Sequence, residues 1–339
     1  MTGLVRALNR RSFLEAAASG LGCVALGGLM SACSSASTAP KAAAKIGYLG
    51  NDLGQQAYRF QSIVDGLSSL GYVEGQTVTF VTKQPSEGSD WNQAAAELVA
   101  AKPDLIIAVG ENAAQAAQQA TKVLPIVFLA AFDPVGKGLV NSLSAPGGNL
   151  TGPSGMVPEL GAKWLELLAA FVPGLSRVAA IWNSENANMT SLWKGAEPTA
   201  RGMGQALYDH PAPMPAGMEG AVQAVAVDQA QAIVVLFDPG LAQRLDPLFS
   251  YTISHHIPTI SNARPFAVQG GLMAYGPNIQ EAQASAVGYV DRILKGAKPA
   301  ALPVEQPTKF DLIVNLQTAN AAGLTVPASV LSQATEVIQ

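Results

Sequence analysis

The sequence predicts an α/β protein with two lobes, each built on a doubly wound parallel sheet, and three observations support this class. Short apolar runs alternate with longer helical patterns from Lys45 onward. The runs are continuously apolar, as in parallel strands that helices cover on both faces. A dense cluster of Pro, Gly and Asn at residues 146–155 divides the series into two. Successive βα units then imply right-handed crossovers within each lobe.

The first lobe is predicted to begin with four strands and three helices. The predicted strands are Lys45–Leu49, Thr77–Thr82, Leu105–Val109 and Ile126–Ala130. The helical patterns between them are Gln56–Ser69, Trp91–Ala101 and Ala113–Lys122. Gly71 follows the first helical pattern, and a glycine there can take the left-handed conformation that ends a helix.

The second series follows the turn cluster and opens with a helix. Its predicted strands are Val178–Trp182, Ile233–Phe237 and Pro258–Ile260, and two further strands are predicted after them at Gly271–Tyr275 and Phe310–Val314. Its predicted helices are Pro158–Phe171, Thr190–Leu207, Glu219–Gln229 and Ala242–His255, and a further helix, Ile279–Lys295, is predicted behind the strand Gly271–Tyr275. No repeat links the two halves at the level of sequence, so the predicted similarity is one of architecture.

Residues 1–32 are predicted to be a signal peptide, and 33–44 a flexible tether. Arg10-Arg11 before Phe13-Leu14 resembles a twin-arginine export signal, although a general secretory signal has the same basic start. The apolar stretch 21–30 is shorter than the roughly 20 residues that a membrane span needs. Met30-Ser31-Ala32-Cys33 resembles a bacterial lipobox with Met in place of the usual Leu. We therefore expect a periplasmic protein that Cys33 anchors to a membrane as a lipoprotein, with ordinary signal cleavage as the alternative.

Composition argues against several classes of function. The 20 Lys and Arg residues against 24 Asp and Glu give a net charge of −4, which disfavours nucleic acid as a partner. Both cysteines, Cys23 and Cys33, precede the predicted lobes, so no disulfide or cysteine zinc site is expected there. The histidines are His210 and the adjacent pair His255-His256, and neighbours on a helix make a poor metal pair. We expect no metal, no cofactor and no enzyme activity.

A series of short motifs runs through the chain in a consistent order. They are Gly71-Tyr72-Val73-Glu74-Gly75, Lys102-Pro103-Asp104, Pro125-Ile126-Val127-Phe128, Asp133-Pro134, Pro146-Gly147-Gly148-Asn149-Leu150-Thr151-Gly152, Gly270-Gly271-Leu272-Met273-Ala274-Tyr275-Gly276-Pro277, Ile293-Leu294-Lys295-Gly296-Ala297-Lys298-Pro299, Leu302-Pro303-Val304-Glu305-Gln306-Pro307-Thr308-Lys309-Phe310 and Gly323-Leu324-Thr325-Val326-Pro327. In this order they resemble the tryptophan/tyrosine-type substrate-binding proteins of ABC importers, which have the type I periplasmic binding protein fold.

The resemblance implies two lobes joined by a hinge, with a small solute trapped in the cleft between them. It also implies a permease in the inner membrane that recognises the closed form, and we expect the binding protein to be a monomer. The N-terminal lobe would comprise residues 45–157 plus about 270–298. The C-terminal lobe would comprise 158–269 plus about 303–339. An aromatic amino acid is the solute that the family implies.

Two loops depart from the family pattern and leave the solute class open. Glu111-Asn112 follows Gly110, where the family commonly has Thr-Pro, and residues 183–188 are rich in Asn. Both loops follow predicted strands, and ligands of open parallel sheets bind beyond the carboxyl ends of the strands. That rule gives the candidate ligand-binding residues: Asn51, Glu111, Asn112, Phe132, Asp133, Asn183, Ser184, Asn188, Asp238, Asn262 and Tyr275.

These residue types suit a small polar or zwitterionic solute. Ser184 and backbone N–H groups can hold a carboxylate, and Asp238, Glu111 or Asp133 can pair with an ammonium group. Phe132 and Tyr275 can stack on a ring.

Each candidate also has a structural interpretation. Asp133 and Asp238 each precede a proline and can cap a helix, while Glu111 can serve the helix dipole. The Asn-rich run can be a solvated turn, and Tyr275 can pack under the hinge.

Two further functions share this architecture. A ligand sensor would present its closed form to a membrane signalling protein instead of a permease. A DNA-binding regulator can have the same lobes, but the export signal and the lack of a helix-turn-helix pattern count against it.

Overall fold

The computed structural model describes residues 43–50, 58–85, 90–155, 160–213, 217–238 and 240–339. The predicted signal peptide, Cys33, almost all of the predicted tether and Asn51 lie outside these ranges. The predictions made for them therefore stay predictions.

The first lobe contains a five-stranded parallel sheet. Its strands are β1 Ala44–Leu49, β2 Val78–Lys83, β3 Leu105–Val109, β4 Ile126–Leu129 and β5 Leu150–Thr151, in the order β2-β1-β3-β4-β5. The helices that follow the first three strands are α1 Tyr58–Ser69, α2 Trp91–Ala100 and α3 Glu111–Ala120. The residues of β3 and β4 are buried, as their unbroken apolar sequences predict for strands covered on both faces.

The second lobe contains a seven-stranded sheet. Its strands are β6 Arg177–Trp182, β7 Ala206–Pro211, β8 Ala232–Leu236, β9 Thr259–Ser261, β10 Met273–Pro277, β11 Phe310–Asn315 and β12 Glu336–Ile338, in the order β12-β11-β10-β9-β8-β6-β7. Neighbouring strands are parallel except β10 and β11, which are antiparallel.

The helices of the second half complete the layers. They are α4 Leu160–Phe171, α5 Ala187–Gly202, α6 Gly217–Val227, α7 Asp246–Ser254, α8 Arg264–Val268, α9 Ile279–Leu294, α10 Leu316–Ala321 and α11 Ala328–Leu331. Apolar side chains fill both faces of each sheet. Leu98 and Phe128 belong to one core of the first lobe and Ile63 and Tyr289 to the other. Both sheets are therefore sandwiched between helices, and the α/β class with two parallel-sheet lobes is confirmed.

The described chain crosses between the lobes at three places. It leaves the first sheet after β5, returns after β10, and crosses again before β11. After β10, helix α9 packs against α1 and β4 of the first lobe. The 3₁₀ turn Pro299–Ala301 then lies beside β5, before the chain re-enters the second sheet.

Residues 270–298 are predicted to join the N-terminal lobe. That prediction is wrong for the strand in this range, β10. β10 pairs in parallel with β9 and antiparallel with β11, so it lies inside the second sheet. The crossing starts only at Asn278, which caps α9. An apolar run shows that a strand is buried but does not show which sheet buries it.

Two predicted helices also need correction, and the short strands β5 and β12 are absent from the predicted strands. The predicted helix Thr190–Leu207 ends at Gly202, and after Gly204, whose φ is +70°, the chain forms β7. The predicted helix Ala242–His255 divides into a 3₁₀ turn, Leu241–Gln243, and α7, because Pro247 favours a new helix start. The two- and three-residue strands β5 and β12 are too short to show a period.

Within the described ranges, no helix combines the length and the apolar character needed to cross a bilayer.

Candidate functional site

A cavity of about 640 Å³ lies between the two lobes, beside the segments that connect them. Its volume is within the range of sites for small molecules. The first lobe and α9 contribute Arg59, Ser62, Leu129, Ala130, Phe132, Ser154, Gly155, Ile279, Gln280, Ala282 and Gln283. The second lobe contributes Asn262, Ala263, Arg264, Gly276, Pro277, Asn278, Asp311, Ile313, Thr335 and Glu336.

The sheet topology places the cavity where the sequence rule locates a ligand site. Leu129 ends β4, Ser154 closely follows β5, and Asn262 directly follows β9. These are carboxyl ends of parallel strands, where the chain turns away from the sheet and leaves a crevice. The antiparallel β11 enters the same region from its amino end, which brings Asp311 to the cavity.

The ionisable lining groups divide between the lobes. On the second lobe, Arg264 donates to both carboxylate oxygens of Glu336, at 2.7 and 2.6 Å. These hydrogen bonds hold the pKa of Glu336 below its usual range. Asp311 accepts a hydrogen bond of 2.8 Å from Asn278 Nδ2. Arg59 is the cationic group on the first-lobe wall.

Two buried polar atoms in the lining have no hydrogen-bond partner among the described residues. They are Ser154 Oγ and Gln283 Nε2, and the two residues are 3% and 5% exposed. Sequence reasoning missed both. Ser154 resembled an ordinary turn residue, and Gln283 resembled one of many polar residues on a helix. The signal lies in the folded structure, where both residues are buried at one cavity.

Of the residues predicted from sequence, Phe132 and Asn262 line the cavity. Phe132 follows the first-lobe strand β4, yet its ring packs against the core of the second lobe. Asn262 Oδ1 accepts a hydrogen bond of 2.7 Å from the backbone N–H of Phe237. That bond orients the Asn262 amide at the rim of the second sheet.

Asp238 lies at the centre of a buried hydrogen-bond cluster outside the cavity lining. Its Oδ2 accepts bonds of 3.0 Å from both Asn183 and Asn186, and its Oδ1 accepts one of 2.9 Å from the backbone N–H of Leu241. Asp238 therefore caps the 3₁₀ turn and ties the loop after β8 to the loop after β6. In the latter loop, Ser184 is exposed.

Glu111, Asn112 and Asp133 also lie outside the lining. Glu111 is 3% exposed, with Oε1 3.4 Å from Lys137 Nζ, while its Oε2 has no hydrogen-bond partner among the described residues. Burial raises the pKa of this carboxyl. Asn112 is exposed. Asp133 Oδ1 accepts from Gly136 N–H at 2.9 Å and so caps the turn that follows.

Tyr275 packs within the second lobe. Its ring stacks on Phe310 with centroids 5.7 Å apart, and its backbone oxygen accepts a hydrogen bond of 2.8 Å from Trp164 Nε1. Burial raises the pKa of its hydroxyl. The side chain of Asn188, like all of Asn51, lies outside the described parts of the structure.

The sequence-predicted residues thus form separate groups, at Glu111 and Asp133, at Asn183 and Asp238, and at Asn262. As solute contacts they stay predictions. Among the described residues, no group of three or more His, Cys, Asp and Glu side chains is placed to hold a metal ion.

Comparison with known proteins gives the family. The family model described as "ABC transporter substrate binding protein" matches residues 55–338. A tyrosine-binding protein of Clostridioides difficile is 24% identical over 262 residues, which cover 77% of this chain and 75% of that protein.

Solved structures agree in fold. A conserved domain protein from Vibrio cholerae is 29% identical with a TM-score of 0.79, covering 87% of this chain and 99% of that one. The structure of an ABC domain from Streptococcus pneumoniae in complex with L-Trp is 29% identical with a TM-score of 0.78. The match covers 87% of this chain and 100% of that one. The family consists of binding proteins and not of enzymes. This chain belongs to the ABC transporter substrate-binding protein family.

Proposed function

We propose that this protein is the extracytoplasmic solute receptor of an ABC importer and traps a small polar solute between its lobes by hinge closure. The observation that carries the proposal is the cavity of about 640 Å³, to which both lobes contribute, next to the connecting segments. An aromatic amino acid is the first candidate solute. Two relatives support this choice, one a tyrosine-binding protein and the other crystallised with L-Trp.

The lining chemistry supports a zwitterionic solute with an apolar part. Arg59 on the first lobe and Asp311 on the second provide charges of opposite sign. A solute carboxylate and ammonium group can pair with them, which offsets the desolvation of all four charges on closure. Phe132 adds an aromatic surface between the lobes, suited to packing against a ring.

Closure follows from the way the solute would be held. A solute that contacts both walls binds the closed form more tightly than the open form, so it shifts the equilibrium toward closure. Connections near β5, α9 and β11 would act as the hinge. The permease would then recognise the closed arrangement of the two lobes.

In this proposal, the N-terminal region exports the protein and anchors it to the membrane. Residues 1–32 would direct export, by the twin-arginine or the general secretory route, and Cys33 would carry the lipid anchor. The receptor would act as a monomer at the outer face of the inner membrane.

A thermal-shift screen tests the binding function. Purified protein, freed of co-purified solute by reversible unfolding, is tested against aromatic and aliphatic amino acids, small carboxylates, nucleosides and sugars. A solute at one hundred times its Kd should stabilise the folded state by about 2.7 kcal/mol. A shift with tryptophan, tyrosine or phenylalanine would support the first candidate. A shift with another class would keep the receptor function and replace the solute, and no shift with any class would contradict the proposal.

A further inference from the structure

We propose that Gln283 and Ser154, together with Arg59, bind the acidic group of the solute at the first-lobe wall of the cavity. Gln283 would thereby be a specificity-determining residue. The inference rests on the proposed function, since it requires that this cavity hold the solute.

Two buried polar atoms at the cavity have no hydrogen-bond partner among the described residues. Gln283 is 5% exposed and Ser154 is 3% exposed, both line the cavity, and no described residue pairs with Gln283 Nε2 or Ser154 Oγ. Buried polar atoms in proteins are nearly always hydrogen-bonded, and leaving one unpaired is costly. Two such atoms at one cavity point to a bound molecule that completes their hydrogen bonds.

Both atoms can donate a hydrogen bond. An amide NH₂ group only donates hydrogen bonds, and a serine hydroxyl can donate one. The complementary solute group must therefore offer acceptor oxygens. The backbone around Ser154 holds it in place, because its N–H donates to Glu305 O at 2.9 Å and Gly155 N–H donates to Ala131 O at 2.8 Å.

Helix α9 and Arg59 give the first-lobe wall its electrostatic character. Gly66 of α1 lies against Val287 of α9, and Tyr72 Oη donates to Asp291 at 2.9 Å further along. The two helices therefore run in the same direction, with Gln283 near the amino end of α9 and Arg59 of α1 also at the cavity. The positive end of α9 and a guanidinium favour an anionic acceptor such as a carboxylate.

The other charged lining groups agree with this orientation. The negative ones, Asp311 and Glu336, both belong to the second lobe, and Glu336 is already paired with Arg264. The Asp238 carboxylate and the amides of Asn183 and Asn186 satisfy one another. The acidic end of the solute thus belongs at the first-lobe wall and not at the loops after β6 and β8.

Calorimetry with three related probes tests the inference. L-tryptophan has both charged groups, 3-indolepropionate lacks the ammonium group, and tryptamine lacks the carboxylate. We expect wild-type protein to bind tryptophan and indolepropionate and to bind tryptamine at least about tenfold more weakly than tryptophan. Gln283→Leu should lower the affinity for tryptophan and indolepropionate by about ten- to a hundredfold, which is the effect of losing a hydrogen bond to a charged group. It should leave the affinity for tryptamine unchanged. Ser154→Ala should act in the same direction with a smaller effect.

The chain offers a matched control and a second variant. Gln205 is another buried amide with a partnerless atom, outside the cavity lining, so Gln205→Leu should change no affinity. Gln283→Glu puts a negative charge in place of the donor. Gln283→Glu should weaken the binding of tryptophan and indolepropionate more than the binding of tryptamine. This comparison still tests the inference if Gln283→Leu folds poorly.

Several results would overturn the inference. Unchanged tryptophan affinity in both Gln283 variants would leave the receptor function standing and remove Gln283 from the site. If no indole binds, L-leucine, 4-methylpentanoate and 3-methylbutylamine replace the three probes. If the protein binds sugars or nucleosides but no carboxylate of the indole or leucine probes, the inference about Gln283 and Ser154 is contradicted and the receptor function still stands. Absence of binding by every solute would contradict the proposed function as well.

Discussion

At the scale of single residues, the structure separates side chains that complete the fold from side chains left incomplete by it. The Asp238 carboxylate accepts three hydrogen bonds from its own chain, from Asn183, Asn186 and Leu241. Gln283 Nε2 and Ser154 Oγ have no partner among the described residues. A side chain whose hydrogen bonds are already made has little to offer a solute, so the incomplete ones are the better binding candidates.

Substitution of Asp238 should therefore affect stability more than binding. Asp238→Ala leaves buried amide donors without an acceptor, and we expect it to lower the free energy of unfolding by about 1–3 kcal/mol. Urea denaturation measures that change, and calorimetry should find solute affinity within about twofold of wild type. The exposed turn cap Asp133 provides the control, because Asp133→Ala should cost less. Lost affinity with unchanged stability would assign Asp238 to the solute instead.

The buried carboxyl of Glu111 should make the stability difference between wild type and Glu111→Gln depend on pH. Burial raises the pKa of its carboxyl in the folded state, so its contribution to stability is greatest below the ordinary carboxyl pKa, and falls as pH rises through the raised value. Glu111→Gln removes this titration. Unfolding measured from about pH 4 to 7 should show the Gln variant gaining stability relative to wild type as pH rises. A relative loss over that range would mean that the Lys137 ion pair outweighs burial.

At the scale of elements, α9 is the component that joins the lobes most directly. It follows a strand of the second sheet, packs on α1 and β4 of the first lobe, and presents Gln283 to the cavity. Its amino end is held by Asn278, whose side chain accepts from Glu281 N–H at 2.8 Å and donates to Asp311. The position of the site therefore depends on how closely α9 approaches α1.

Two glycine substitutions measure that approach. A Cβ on Gly66 would lie 2.8 Å from a Val287 methyl, so Gly66→Ala should force the helices apart and destabilise by about 1–3 kcal/mol. Gly288 is on α9 with open space where its Cβ would be, so Gly288→Ala should stabilise by up to about 1 kcal/mol through helix propensity. Thermal denaturation of both variants checks the contrast. Equal effects would show that α1 and α9 pack less closely than described.

At the scale of the whole molecule, the closure proposed above would move one lobe against the other about the three crossings. Glu281 accepts hydrogen bonds from the Thr308 hydroxyl at 2.7 Å and the Lys309 N–H at 2.8 Å, which ties α9 to the segment leading into β11. Two of the crossing segments are thus bonded to each other. Motion of the lobes would be a rotation about this pair and not a separation.

Closure predicts a change in size on binding. The radius of gyration from small-angle X-ray scattering should fall when a solute that binds in calorimetry is added at saturation. A non-binding analogue at the same concentration is the control. An unchanged radius with proven binding would exclude closure as the means of trapping.

Membrane attachment through Cys33 predicts a change of fraction. Cys33→Ala should move the protein from the membrane to the soluble periplasmic fraction and abolish labelling by radioactive palmitate, because the thiol that would carry lipid is gone. Arg10→Lys with Arg11→Lys, which keeps the charge, tests the export route separately. Labelling that persists in Cys33→Ala would refute the lipobox interpretation.

Local pattern was enough to establish the α/β class and most strands, because a strand covered on both faces must be apolar along its whole length. β3 has the predicted bounds. β1 and β4 differ from the prediction by one residue at one end, and β8 is shifted by one residue along the chain. The rule about carboxyl ends of strands likewise led to Phe132 and Asn262, which line the cavity. These inferences depend only on neighbours in sequence or on a property of all parallel sheets.

Pairing over long distances could be decided only by the tertiary structure. The sheet that receives β10, the hydrogen bonds that complete Asp238 and the burial of Ser154 and Gln283 at one cavity all depend on segments far apart in the chain. A residue's type limits the hydrogen bonds that it can make, and its periodicity indicates whether it is buried. Whether those bonds are made within the chain or left for a solute depends on the three-dimensional neighbours, which no local pattern contains.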